Sequence, residues 1–87
     1  MISYIMISTK DIQRNDIRKK ISRIDGVIAI DPLIVEESAL ADPFFEEFNL
    51  IAKIKKNTMD DITRLVNDKI LPIDGVIKTR ITRKYGI

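Results

Sequence analysis

The strongest constraint on the fold is a short internal repeat. The segment Ile-Asp-Gly-Val-Ile stands at residues 24–28 and again at residues 73–77, 49 positions further along the chain. Each copy joins a helix-like amphipathic stretch to an apolar, strand-like stretch, and Gly ends a helix well because it readily adopts a left-handed conformation. A chain of 87 residues can bury one two-layer core. We therefore expect a single domain over residues 1–87 with two similar halves.

The first half is predicted to be strand, helix, strand. Residues 1–8 are apolar and rich in Ile, which favours a strand. The segment Ser8-Thr9-Lys10-Asp11 fits a helix-start pattern in which a hydroxyl accepts a hydrogen bond from a free backbone N–H group. The apolar stripe of the following helix would consist of Ile12, Ile17, Ile21 and Ile24. Residues 27–36 form the second predicted strand, and Pro32 places it at a sheet edge because Pro lacks a backbone N–H group.

The second half repeats this order after a predicted loop at residues 38–45. Residues 47–55 alternate in polarity, which predicts a third strand. Its side facing the helices would carry Phe48, Leu50, Ala52 and Ile54, and its other side Asn49, Ile51 and Lys53. Thr58 is predicted to cap a second amphipathic helix, in which Lys69 interrupts the apolar stripe and which Pro72 stops. Residues 76–84 form the fourth predicted strand.

Two right-handed strand–helix–strand units predict the α+β, ferredoxin-like βαββαβ fold. This fold has a four-stranded antiparallel sheet, two helices on one face, and the second and fourth strands at the edges. Two helices leave the other face uncovered, and Tyr4, Met6 and Ile51 are predicted to lie there. Because a half-apolar exposed surface indicates an interface, we expect a dimer packed sheet to sheet, as in dimeric α/β barrels.

The residue types exclude several kinds of chemistry. The chain contains no Cys and no His, so thiol catalysis, disulfides and Cys-ligated zinc are excluded, and the commonest acid–base group is missing. The acidic pairs at 36–37 and 46–47 lie at adjacent positions, whose side chains point to opposite faces of a strand. We therefore expect a protein that is not an enzyme and that has no cofactor and no metal site. Its apolar runs are too short to span a membrane, and we expect a cytoplasmic protein.

Charge is distributed unevenly along the chain. Residues 10–23 contain six basic and two acidic residues, whereas residues 31–47 contain six acidic and no basic residues. The basic side chains on the first helix are Arg14, Arg18, Lys19, Lys20 and Arg23. Such a helix either binds nucleic acid or presents a solvated face. Blocks of opposite charge also favour self-association.

Three segments resemble the ligand-binding domain of the Lrp/AsnC family, also called the RAM domain. Residues 47–54 (EFNLIAKI) are similar to that family's third strand, and residues 73–82 (IDGVIKTRIT) resemble its PGV-x-x-T-x-T ending. Residues 24–27 (IDGV) match its PGV turn into the second strand. The sequence departs from the family pattern at Glu46, where the family has Gly, and at Asn49, where it has Asp.

The resemblance implies a stand-alone RAM domain without the family's helix-turn-helix. It implies a non-enzymatic, amino-acid-like small-molecule sensing and oligomerisation module. As a homodimer or higher oligomer it would modulate Lrp/AsnC-type transcription regulators, without direct DNA binding. The implied ligand-binding residues are Glu46, Glu47, Phe48, Asn49, Thr79 and Arg80. Their carboxylates, amide, hydroxyl and guanidinium favour a cationic or ammonium-bearing ligand, although Arg80 could instead neutralise Glu46 or Glu47.

Two alternatives remain open from the sequence. The first is an enzyme of the dimeric α+β barrel kind, against which the missing His and the lack of a convergent polar cluster count. The second is a nucleic-acid-binding protein that uses the basic first helix. A steep salt dependence of DNA binding would identify genuine phosphate contacts and would favour this second alternative.

Overall fold

The strands and helices follow one another in the order that the sequence predicts. A computed structural model describes residues 1–33 and 48–82. Its elements are β1 (Ile2–Thr9), a 3₁₀ turn (Asp11–Gln13), α1 (Arg14–Ser22), β2 (Val27–Pro32), β3 (Leu50–Lys55), α2 (Met59–Leu65), a π turn (Val66–Ile70) and β4 (Val76–Thr82). The predicted loop at residues 38–45 lies outside the described residues. The predicted end of the second strand, the predicted start of the third and the predicted end of the fourth also lie outside the described residues.

The sheet confirms the predicted α+β, ferredoxin-like topology. Its strand order is β2-β3-β1-β4, and each neighbouring pair is antiparallel. The central strand β1 pairs on both sides, so that Ile5 lies opposite Ala52 in β3 and opposite Ile81 in β4. Strands β2 and β4 are the edges, and Pro32 ends β2, where its missing N–H group costs the sheet no central hydrogen bond.

The core lies on one face of the sheet, beneath both helices. Alternate residues of the central strands point into it, among them Ile5, Ile7 and Ile54, and all are fully buried. The helices cover these residues with Ile17, Ile21, Ile62, Leu65, Val66 and Ile70. Two-residue spacing in strands and three- or four-residue spacing in helices direct these side chains to a common layer. The intervening strand residues therefore point to the uncovered face, as predicted.

The first helix begins differently from the prediction. Ser8 is buried within β1 and does not cap the helix. The chain instead enters through the 3₁₀ turn, whose N-cap residue Lys10 makes no side-chain capping hydrogen bond. Ile12 precedes Ile17 by five residues, which is about 140° of rotation even in a continuous α-helix, so Ile12 points away from the side that carries Ile17 and Ile21. Ile12 is consequently 93% exposed, and its predicted place in the apolar stripe is wrong.

The second helix begins as predicted. A π turn after it accounts for the exposed Lys69 that interrupts its apolar stripe. The hydroxyl of Thr58 accepts a hydrogen bond from the backbone N–H of Asp61 at 3.1 Å. Further on, the N–H of Leu71 donates to the carbonyl of Val66 at 2.9 Å, which closes a π turn. The extra residue in this turn leaves Lys69 exposed while Val66 and Ile70 stay buried. No helix in the described ranges is long and apolar enough to cross a membrane.

Both copies of the repeat form the same local structure. Gly26 and Gly75 have φ angles of 100° and 94°, a left-handed conformation that favours Gly. A register shift follows each turn and leaves one residue of the edge strand without an opposite partner, Ile28 in β2 and Ile77 in β4. These are β-bulges, which twist edge strands and so limit pairing with other chains. The repeat therefore builds an equivalent turn and bulge at each edge.

Two Ile→Ala substitutions test the altered start of the first helix. Ile21→Ala is expected to lower the free energy of unfolding by about 2–5 kcal/mol, since it creates a cavity in the core. Ile12→Ala should change it by less than about 0.5 kcal/mol because the side chain is exposed. Urea unfolding followed by circular dichroism measures both values. Equal losses in the two variants would show that Ile12 belongs to the core stripe.

Candidate functional site

The carboxamide of Asn49 joins the start of β3 to the end of β1. Its Oδ1 accepts hydrogen bonds from the Thr9 backbone N–H at 3.1 Å and from the Thr9 hydroxyl at 3.0 Å. Its Nδ2 donates to the Thr9 carbonyl at 3.0 Å and to Asp11 Oδ1 at 3.2 Å. Both amide hydrogens are therefore used. Asn49 thus fixes the position of the Asp11 carboxylate rather than presenting free donors of its own.

A cavity of about 530 Å³ opens beside this network, and we call it the Asn49 cavity. Its described lining consists of Ser8, Thr9, Lys10, Asp11, Asn49, Ile77 and Lys78. The volume lies within the range of small-molecule sites. The cavity combines a carboxylate, two ammonium groups and one apolar side chain, the bulged Ile77. Chemically, this lining suits a small molecule that carries both a positive and a negative charge.

The predicted residues of the third strand lie at or near the Asn49 cavity. Asn49 lines the cavity directly. Phe48 is buried, as predicted, but it does not belong to the contiguous core cluster beneath the helices. Its ring centroid lies 5.4 Å from Lys78 Nζ, within cation–π distance. Glu46 and Glu47 lie outside the described residues.

The two predicted residues of β4 lie on opposite faces of the sheet. Thr79 pairs with Ile7, and Arg80 pairs with Met6. Thr79 therefore points to the helix side, where it is half-buried, and Arg80 points to the uncovered side, where it is exposed. Neither residue lines the Asn49 cavity. The side chains of β4 that do so are Ile77 and Lys78, nearer the second Asp-Gly turn.

Sequence reasoning missed most of the cavity lining. The helix-start pattern assigns Lys10 and Asp11 to the start of a helix, yet both line the cavity, Lys10 just before the 3₁₀ turn and Asp11 as its first residue. Ile77 reaches it because a bulge removes that residue from the regular strand pattern. The useful signal was the repeat itself, because the crossover topology brings the second Asp-Gly turn beside the end of β1. The Lys10 N–H donates to the Gly75 carbonyl there, at 3.0 Å.

The uncovered side of the sheet is a second candidate surface. We call it the open face and define it by Tyr4 and Met6 of β1, Ile51 and Lys53 of β3, and Arg80 of β4. Tyr4 is 43% exposed, and Met6 and Ile51 are only partly buried. Lys53 Nζ lies 6.0 Å from the Tyr4 ring centroid. Apolar and cationic groups thus share one broad surface.

Comparisons with solved structures show the same fold in several proteins. TTHA0845 from Thermus thermophilus has 15% sequence identity and a TM-score of 0.75, and the match covers 99% of this chain and 98% of that one. E. coli AsnC has 16% identity and a TM-score of 0.74, with coverage of 93% of this chain and 48% of AsnC. No family model matches the chain, and no curated protein matches it in sequence.

Proteins of different function share this architecture. A transcriptional regulator from Neisseria meningitidis, solved as a complex with L-Met, has 14% identity and a TM-score of 0.72, covering 99% of this chain and 52% of that one. A 5-chloro-2-hydroxyhydroquinone dehydrochlorinase from Burkholderia phenoliruptrix has 8% identity and a TM-score of 0.57, covering 95% and 92%. The predicted Lrp/AsnC resemblance is confirmed at the level of the fold. A shared fold alone does not decide between regulator and enzyme.

Substitution of Asn49 tests its structural role. Asn49→Ala removes four hydrogen bonds and leaves the Thr9 backbone groups without their partner. We expect the free energy of unfolding to fall by about 1–3 kcal/mol. Asn15→Ala, at an exposed position of α1, is the matched control and should change it by less than about 0.5 kcal/mol. If chemical denaturation gives equal midpoints for Asn49→Ala and the native chain, the network does not stabilise the fold.

Proposed function

We propose that this chain is a non-enzymatic, small-molecule sensing and oligomerisation module that modulates transcription regulators of the Lrp/AsnC type. The observation that carries the proposal is the Asn49 cavity, in which a positioned carboxylate and ammonium groups line one small-molecule-sized space. The fold shared with E. coli AsnC and with a regulator bound to L-Met supports the regulatory part. The absence of Cys and His from the sequence supports the non-enzymatic part.

The ligand is amino-acid-like. Its ammonium group would bind the Asp11 carboxylate, which Asn49 holds in place, and its carboxylate would bind Lys10. Its side chain would pack on Ile77, which is otherwise 60% exposed. This pairing of two opposite charges distinguishes an amino acid from a simple cation, and it keeps the ammonium group that the sequence favoured.

The site is incomplete within one chain. Lys10 and Asp11 are both exposed, and exposed charges attract a ligand weakly in water. Small-molecule sites usually bury most of the ligand surface. We therefore expect a second copy of the chain to close the cavity, together with predicted contacts from Glu46 and Glu47. Binding and assembly would then be linked, because a ligand held by two copies stabilises their complex.

The open face provides the surface for homodimer formation. Its apolar residues Tyr4, Met6 and Ile51 would be removed from water when two sheets pack together, with Arg80 among them. Its cationic residues, Lys53 and Arg80, would pair with acidic residues of the second copy, and the chain carries six acidic residues at 31–47. Complementary charge of this kind fixes how two surfaces meet. Homodimers, or higher oligomers built from them, would be the functional form.

Calorimetric titration with a panel of L-amino acids tests the proposed site. We expect at least one amino acid to bind, and Asp11→Asn and Lys10→Met each to weaken its affinity roughly tenfold, the loss of about 1.4 kcal/mol of binding free energy. Asp16→Asn, an exposed carboxylate of α1 outside the described cavity lining, should bind as the native chain does. Equal affinity in Asp11→Asn, or no binding by any amino acid, would contradict the proposal.

A further inference from the structure

A second and larger cavity lies at the opposite end of the sheet from Asn49. It measures about 850 Å³ and opens between the first Asp-Gly turn, the connection from β3 to α2, and one side of α2 with its π turn. We call it the α2 cleft. The lining residues that matter here are Asp25, Gly26, Lys56, Arg64 and Lys69. Its volume is that of a site for a metabolite-sized molecule.

The partly buried side chain of Lys56 forms part of the floor of the α2 cleft. A Cβ atom at Gly26 would lie 2.6 Å from Lys56 Cε, so the aliphatic stem of Lys56 passes directly over Gly26. The Lys56 backbone N–H donates to the Met1 carbonyl at 3.0 Å. The Lys56 side chain is only 30% exposed. A partly buried cation is less screened by water than a fully exposed lysine, so it attracts an anion more strongly.

The second Asp-Gly turn shows how the equivalent space is filled elsewhere in the fold. There, Gln13 of the 3₁₀ turn lies against the glycine, and its Oε1 would be 2.6 Å from a Cβ atom at Gly75. Gln13 Nε2 also donates to Asp74 Oδ2 at 3.3 Å. A neutral carboxamide therefore covers the second turn. At the first turn α2 starts without a 3₁₀ turn, and an open cleft with a lysine takes the same place.

Cationic side chains outnumber acidic ones by four to three around the α2 cleft. Its cationic side chains are Lys55, Lys56, Arg64 and Lys69, and its acidic ones are Asp25, Asp61 and Asp68. The ion pairs among them are long, at 3.8 Å for Lys56 with Asp25 and 4.0 Å for Arg64 with Asp61. Each pair is long and has one largely exposed member, and such pairs contribute little, so the cations can turn to a ligand at small cost.

The π turn adds to this arrangement. It turns Lys69 out of the core stripe, and Lys69 lines the cleft one helical turn beyond Leu65. Single π turns within helices occur frequently at functional sites. Here the irregularity places a second cation, Lys69, on the wall that already carries Arg64.

We propose that the α2 cleft binds a small organic anion with at least two negative charges. Lys56 at the floor and Arg64 on the wall are the principal contacts, and Lys69 is the third. Arg64 suits a carboxylate or phosphate group because its planar guanidinium donates two parallel hydrogen bonds. This site is separate from the Asn49 cavity and does not depend on the function proposed for it. The molecule thus has two ligand sites of different charge preference.

Titration of the ¹⁵N-labelled chain with two probes, citrate and pyrophosphate, tests this inference and separates carboxylate from phosphate ligands. We expect at least one probe to shift the amide signals of Gly26, Lys56 and Asn57 saturably. Sodium chloride at equal ionic strength should not shift them in this way, because it only screens charges. Lys56→Met keeps the aliphatic stem across Gly26 and should weaken binding roughly tenfold. Arg64→Gln, at a 71% exposed side chain, should do the same without disturbing the core.

Lys19→Met, which removes an exposed cation of α1 outside the described linings of both cavities, is the matched control and should bind the probes as the native chain does. Amide shifts spread over all lysine-rich segments, or equal affinity in Lys56→Met and Arg64→Gln to that of the native chain, would overturn the proposed site. An absence of saturable shifts with both probes would overturn it as well. If Lys56→Met fails to fold, Arg64→Gln alone decides the outcome.

Discussion

Two helices can cover only one face of a four-stranded sheet, and the rest of this molecule follows from that limit. The covered face takes the large aliphatic residues of β1 and β3, such as Ile5 and Ile54, which are fully buried. The open face keeps Tyr4, Met6 and Ile51 in partial contact with water. A chain of this length buries only about 60–65% of its unfolded surface. Association through the open face would supply apolar burial that one chain alone lacks.

Each cavity lies beside a helical irregularity. The 3₁₀ turn contributes Asp11 to the Asn49 cavity, and the π turn contributes Lys69 to the α2 cleft. The two halves of the chain share their Asp-Gly turns and edge bulges but differ in these helix segments. A duplicated framework therefore supports two unlike sites. The two halves are similar in their turns and edge strands. They differ in their helices, because a 3₁₀ turn precedes α1 and a π turn follows α2.

The topology was predictable from sequence because it depends on periodicity. Alternation in residues 50–54, the paired Asp-Gly turns and the edge position of Pro32 all derive from rules about backbone geometry. Ile12 was misplaced because its five-residue spacing from Ile17 does not fit the three- and four-residue spacing of an apolar helical stripe. The role of Asn49 could be predicted from the sequence only in part. Its residue type indicated polar contacts, but only the tertiary structure shows that its carboxamide forms hydrogen bonds with Thr9 and Asp11.

Light scattering on the native chain and on two variants tests the central claim that the open face is a homodimer interface. At micromolar concentration the native chain is expected to have the mass of a dimer or of a larger assembly of dimers. Ile51→Asp places a charge within the open face and should give a monomer, since burying an unpaired carboxylate is costly. Ile12→Asp, at a 93% exposed position, should keep the native mass. A native chain that is monomeric and folded, or an Ile51→Asp variant with the native mass, would contradict the account.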